Sequence, residues 1–332
     1  MLIKSNTTKT HEELDFDAVV QAYPAHSYRH ALDGSHVTSP FHIFSVETLR
    51  DQHHLRGGPA TPTDVFVWAI GEPERRDVTK VGGLPYWPTH QLWPERPDGE
   101  PCQFLAQINF TDSTDLVPEL PGDILLVFAK DSDEWMWGRA DALHLAWQKV
   151  TPQPLIDSTI YRDLMSNSIE KDIHQQLDMH REIHRIFQDH MGQASMKTQF
   201  DEDAERNQIA NKLPFCCYGI RHRTFDYPGA LTASKSINVK QSRRLPIIEG
   251  TKIGGAAFTV QDSEPLPGQL LCQLASVQAA PRVSYPWANR EQALMSGRGD
   301  DGIHSQSWLI GDMGSLYFSI DNGMVYVNGE SY

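Results

Sequence analysis

Two sets of residues in this chain have the types and spacing that chemistry requires. In "HREIH", His180 and His184 stand four residues apart. On a helix they share a face, the arrangement of a two-histidine metal site, with His174 or Asp178 as a further ligand. Glu182 lies between them and not directly after the first histidine, so this is not the HExxH metalloprotease signature. Histidines packed at the margin of an apolar helix face account for the same pattern. The second set centres on Gln107 and Gln273, each inside a strongly apolar stretch. A buried amide needs partners for its oxygen and both N–H groups, and leaving one unpaired costs about 1–3 kcal/mol. Adjacent backbone, a neighbouring unit or a ligand can supply them. In the ligand case Gln107, Asn109, Gln273 and Asp312 line a pocket and Trp93 caps it. Asp123 and Asp312 each follow a glycine, and paired carboxylates would separate in pKa and do acid–base work. A Gly-Asp step before a strand is also an ordinary tight turn.

Composition narrows the classes. The chain has 332 residues, 39% of them hydrophobic and 22% charged, with a formal net charge of −14. No clustered Lys/Arg stripe is present to displace counterions from phosphates, which argues against nucleic acid as a partner. An acidic surface repels anionic membranes and attracts basic proteins. No run reaches the length of a membrane helix, and "MLIKSNTTKTHEELDFD" lacks the apolar core of a secretory signal, so a cytoplasmic location is expected. Cys102, Cys216, Cys217 and Cys272 form neither a disulfide framework nor a CxxC pattern, and the vicinal pair Cys216–Cys217 is read as structural. No GxSxG elbow, P-loop or strand-borne GxGxxG occurs, and no cofactor is implied.

These residues must be positioned by a β-rich framework. "DVFVWAIGEP" (Asp64 to Pro73), "LPGDILLVFAKD" (Leu120 to Asp131) and "ALHLAWQKV" (Ala142 to Val150) read as strands, whereas "RGGPATPT" (Arg56 to Thr63) reads as a linker. From Asp163 to about Met191 the period becomes helical, aligning Ile173, Leu177, His180, His184, Phe187 and Met191 on one face. After Lys212 strands return.

The chain also echoes itself. "KVGGLPYW" at Lys80 has a counterpart in "KIGGAAFT" at Lys252. "PCQFLAQIN" from Pro101 matches "PGQLLCQLA" from Pro267, and "GDILLVFA" from Gly122 resembles "GDMGSLYFSI" from Gly311. Three matches in one order predict a duplicated β-rich unit with a helical segment inserted between the copies. The expected fold is α+β: residues 1–62 an N-terminal extension, 63–150 a first half, 151–212 the helical insertion and 213–332 a second half, with 63–332 forming one compact domain.

Gly82, Gly83 and Pro85, then Trp93–Pro94, Gly99 and Pro101, then Phe104 to Ile108 around Gln107 resemble the YwqG-like family, domain of unknown function 1963. A second glycine pair (Gly254–Gly255), a second Leu-x-Gln strand and "WLIGDMGSLYFSI" extend the resemblance over roughly Asp64 to Val327. Cys102 and Gln103, and Ala256–Ala257, depart from its pattern. The resemblance implies an α+β protein of two related halves and carries over no catalytic residue. Members are mainly bacterial, and some lie near secreted toxin systems, where an immunity role has been suggested. The expected function is therefore a non-enzymatic cytoplasmic binding protein, an immunity protein neutralising a basic toxin domain through its acidic surface. The alternative is a small-molecule-binding protein or enzyme with a pocket between the halves.

Overall fold

A computed structural model of the chain describes residues 59–70, 72–130, 139–166, 216–228, 250–259, 266–278, 307–311 and 314–331, with isolated positions elsewhere. The strands are, in chain order, β1 (Thr61–Ile70), β2 (Lys80–Gly82), β3 (Gln103–Asn109), β4 (Ile124–Ala129), β5 (Leu143–Gln148), β6 (Cys216–Asp226), β7 (Lys252–Gly254), β8 (Gln269–Ala275), β9 (Val277–Gln278), β10 (Ser307–Trp308), β11 (Ser315–Asp321) and β12 (Met324–Glu330). Ten of them form one antiparallel sheet in the order β12-β11-β8-β7-β1-β6-β2-β3-β4-β5, and β9 pairs with β10 apart from it. Helix is sparse: among the described residues it covers 158–166, positions between 174 and 185, and short 3-10 turns.

The centre of the sheet is the long pair β1–β6, in register from Thr61 opposite Asp226 to Ile70 opposite Cys217. The strand begins at Thr61, inside the stretch read as a linker, because Thr61 to Thr63 already belong to this ladder. Outward from the centre the order is β7, β8, β11, β12 on one side and β2, β3, β4, β5 on the other. Each side starts with a three-residue Lys-Φ-Gly strand, where Φ is apolar, followed by the glutamine-bearing strand.

The imperfect alternation of "QFLAQIN" has a local cause. The β3–β4 register slips between Phe104 and Ala106, and the β8–β11 register slips between Cys272 and Leu270. Each slip leaves one leucine, Leu105 or Leu271, without a cross-strand partner. A bulge lets two successive residues face the same way. Leu105 with Ala106, and Leu271 with Cys272, all join the main core.

That core is one cluster spanning both sides, from Trp68, Phe110, Leu125 and Val127 to Ile253, Leu316 and Phe318. Burying each such large side chain contributes about 1.5–3 kcal/mol. The sheet edges approach one another around it: the 3-10 turn Ala140–Ala142 before β5 packs beside β12, and Trp135 stacks on Trp308 with ring centroids 5.6 Å apart. On the opposite face of β3–β5 a second cluster joins Tyr86, Trp87, Cys102, Phe104, Ile124, Leu126 and Phe128.

Candidate functional site

The two Lys-Φ-Gly-Gly motifs fold into the same local unit. Gly82 and Gly83 have φ of 63° and 67°, and Gly254 and Gly255 have 67° and 69°. Two successive left-handed residues are readily adopted only by glycine. They turn the following N–H back onto a carboxylate: Leu84 N–H donates to Glu72, and Ala256 N–H donates to Asp226 Oδ2 at 3.0 Å. The same carboxylate receives the lysine, with Lys80 Nζ 3.0 Å from Glu72 and Lys252 Nζ 2.8 Å from Asp226. Both lysine side chains are fully buried. Burial pushes the Lys80 ammonium below its ordinary range, against the pull of Glu72. Asp226 is buried as well, whereas Glu72 is 39% exposed. Neither carboxylate stood out in the sequence: Glu72 lies just beyond β1, 8 residues from Lys80, and Asp226 ends β6, 26 residues from Lys252.

The glutamines complete each unit differently. Gln107 Oε1 accepts from Tyr86 N–H at 2.8 Å, and Nε2 donates to the carbonyls of Arg76 and Val78, both at 2.7 Å. Its amide is satisfied by backbone. Gln273 Oε1 accepts from Phe258 N–H at 2.9 Å, but its buried Nε2 has no partner among the described residues. Ile248 O, which stands four residues before the lysine as Arg76 O does, already accepts from Lys252 Nζ at 2.9 Å.

The expected pocket between the halves is not assembled from these residues. Gln107 on β3 and Gln273 on β8 have four strands between them, roughly 24 Å along the sheet at the usual strand spacing. Asn109 closes the end of β3: its Oδ1 accepts from Thr111 N–H and Oγ1–H, and its Nδ2 donates to Asp77 O. Trp93 caps no glutamine. It donates to Cys102 O at 2.8 Å and meets Trp87, Phe128 and Tyr161 edge to face. Asp312, His180 and His184 lie outside the described residues. Of their suggested helpers, Asp178 pairs with Arg181 at 2.6 Å. Asp123 is a turn residue whose Oδ2 accepts from Val150 N–H. Its counterpart is Gly314: Phe110 N–H donates to Asp123 O as Ser276 N–H donates to Gly314 O. The Cys216–Cys217 pair sits within β6, so the two thiols project to opposite faces. Burial pushes Cys216 up to about 12 and Cys217 well above its ordinary value, which disfavours the reactive thiolate form.

Two further polar features were missed from the sequence. Buried Asp64 on β1 receives Arg223 Nε at 2.5 Å, Arg221 at 3.2 Å and Ser113 Oγ at 2.6 Å, while Arg223 also grips Asp115. The hydrogen bonds from Arg223 hold the Asp115 carboxyl below its usual range. Asp64 is a lone acid in an apolar run, and only the strand register reveals Arg223 opposite it. The other feature is the β3–β4 connection, residues 110–123, which carries Asp112, Asp115, Glu119 and Asp123 and no Lys or Arg. A cleft of about 230 Å³ opens there, lined by Phe110, Thr111, Thr114, Val117, Glu119 and Asp123 among others. This is below the 300–1,000 Å³ of ordinary small-molecule pockets.

The family model described as "Domain of unknown function (DUF1963)" matches residues 79–323. No curated protein matches the chain. The matched span runs from just before the first lysine–glycine unit to the β11–β12 turn.

Proposed function

The chain belongs to the DUF1963 family, and from that premise we propose that it is a non-enzymatic binding protein that takes a basic protein partner on the acidic β3–β4 connection. The observation that carries this is the cleft at Glu119 and Asp123, set in a connection of four acids of which one, Asp115, is paired with Arg223, on a chain of net charge −14. A Lys or Arg side chain entering the cleft would lay its apolar stem against Phe110 and Val117 and bring its charge to Glu119. Long-range attraction would speed the encounter, and desolvated contacts at the cleft would set residence time.

The partner class this favours is a basic toxin domain, with the chain acting in the cytoplasm as its immunity protein. The two sides of the sheet are copies from an internal duplication in this proposal. Supporting it are the matching strand order outward from β1–β6, the repeated Lys-Φ-Gly-Gly turns and the bulges at Leu105 and Leu271.

The test is co-production of the full chain with basic toxin domains encoded beside its gene, followed by association kinetics on any complex. Rescue and complex formation are expected, with association slowed about tenfold in the double variant Asp112→Lys/Glu119→Lys and by added salt. Absence of rescue and of any complex, or an association rate indifferent to both changes, would sink the proposal.

A further inference from the structure

Asparagine stands before glycine twice in the chain, at Asn322–Gly323 and at Asn328–Gly329. The side-chain amide of such an asparagine is open to attack by the next residue's main-chain nitrogen, because glycine has no Cβ to hinder the approach. Sequence gives the two steps equal standing, and the fold separates them. Asn322 and Gly323 are the central residues of the β11–β12 turn, beyond the last ladder pair, Asp321 with Met324. Their φ values of 49° and 80° fit the two-residue hairpin turn that Asn-Gly favours. Both residues are exposed. A Cβ built on Gly323 would meet nothing within 4 Å, and its N–H donates to no acceptor among the described residues. Asn322 Nδ2 donates to Asp321 Oδ2 at 3.2 Å in the same exposed turn. Asn328 and Gly329, by contrast, are partly buried inside β12, opposite Tyr317 and Leu316 of the buried strand β11.

We propose that Asn322 is a site of spontaneous deamidation and that the β11–β12 ladder protects Asn328 from the same reaction. The Gly323 nitrogen gives its proton to solvent and attacks Asn322 Cγ. A C–N bond forms and closes a succinimide ring, the Cγ–Nδ2 bond breaks, and the amide takes up a proton and leaves as ammonia. Water then opens the ring at either carbonyl. One opening gives aspartate, and the other gives isoaspartate, whose main chain runs through Cβ and Cγ. Overall one water is consumed and one ammonia released, with no oxidant or reductant. Attack requires the Asn-Gly peptide to swing out of its resting geometry. At the turn this disturbs only the closing pair of the hairpin. At Asn328 the extended backbone holds the reacting atoms apart, and swinging it breaks ladder pairs to both sides. Either product places a new carboxylate beside Asp321, and isoaspartate also lengthens a turn built for two residues. The site is independent of the basic-partner reading and lies on the opposite arm of the sheet from the acidic cleft.

The test is incubation of the full chain in mildly alkaline buffer at body temperature, beside synthetic peptides spanning each Asn-Gly step. Fragment-ion mass spectrometry locates the conversion, and enzymatic methylation counts isoaspartate. Asn322 of the folded chain should convert within about tenfold of its peptide, as expected where opening is local and cheap. Asn328 should convert at least about tenfold more slowly than Asn322, the factor for breaking one or more hydrogen bonds before attack. In urea the two should converge. Asn322→Gln, whose longer side chain closes the ring poorly, should remove the isoaspartate signal of the folded chain. Conversion of Asn322 more than about tenfold slower than its peptide would overturn the proposal. So would equal rates at the two asparagines in the folded chain, a difference that persists in urea, or an undiminished signal in Asn322→Gln.

Discussion

The two arms of the sheet use one device to different ends. On the β2–β5 arm the lysine meets a half-exposed glutamate, the glutamine is satisfied by backbone, and tryptophans close the face above it. On the β7–β12 arm the lysine and aspartate are both fully buried, while the glutamine keeps an unpaired nitrogen beneath a face of serines and a tyrosine. The first arm is thus finished by its own residues, and the second is locked more firmly at its lysine and left unfinished at its glutamine. The glycine turn specifies geometry alone; what surrounds it decides whether the glutamine amide is fully paired or keeps an unpaired nitrogen.

The largest break in this comparison should come from the lysine locks. Asp226→Asn leaves a fully buried ammonium without its counter-charge, a loss of about 3–5 kcal/mol. Glu72→Gln should lose only about 1–2 kcal/mol, since water reaches the 39% exposed glutamate and can take over part of its role. Urea midpoints of the full chain check both, and equal losses would contradict the difference in burial. A smaller effect should separate the second glycines. At Gly255 an added Cβ runs into Asp226 Oδ2 and Thr63, whereas at Gly83 it meets the far end of the Glu72 side chain and Cys216. Both substitutions to alanine force a left-handed residue, costing about 1 kcal/mol each, and Gly255→Ala should lose about 1 kcal/mol more because its neighbours are held in place.

The smallest effect concerns pH. His144 on β5 lies edge to face with Phe128, and burial, aided by Lys130, lowers its pKa below the ordinary 6.5. The unfolded chain therefore binds this proton more readily than the folded one. Stability from this source is fully present above 6.5 and is lost as pH falls toward the folded pKa. The residue in the matching place on β12, across from Ser319, is Tyr326, so this acid sensitivity belongs to one arm. His144→Gln should flatten the slope of stability against pH just below 6.5, and an unchanged slope would remove the histidine as its cause.

Much of the framework was legible in the residues. The strands around Phe66, Leu126 and Leu145 announced themselves by β-branched and aromatic runs, and the glycine pairs marked turns that the positive φ values bear out. The partners of those turns were not legible: Glu72 comes from the β1–β2 connection, and Asp226 ends β6, which β1 separates from β7, so only the fold shows which acid meets which lysine. Gly-Asp at Gly122 and at Gly311 look alike in sequence, but the second lies two residues farther from its strand, so Gly314 takes the structural place of Asp123. Trp93 looked free to cap a pocket since its sequence neighbours are turn formers, yet Cys102 O and three rings hold it in the aromatic cluster. The glutamines were correctly singled out as buried amides, but sequence spacing could not reveal the four strands between them.

The unequal satisfaction of those two amides is the most direct point of test. Denaturant unfolding of Gln107→Leu and Gln273→Leu in the full chain compares them in one experiment. Gln107→Leu strips partners from Tyr86 N–H and from the carbonyls of Arg76 and Val78, and should cost about 2–4 kcal/mol. Gln273→Leu frees only Phe258 N–H and removes an unpaired nitrogen, and should cost about 1 kcal/mol or less. Equal losses, or the larger loss at Gln273, would show that the second amide is as well satisfied as the first and would contradict the account.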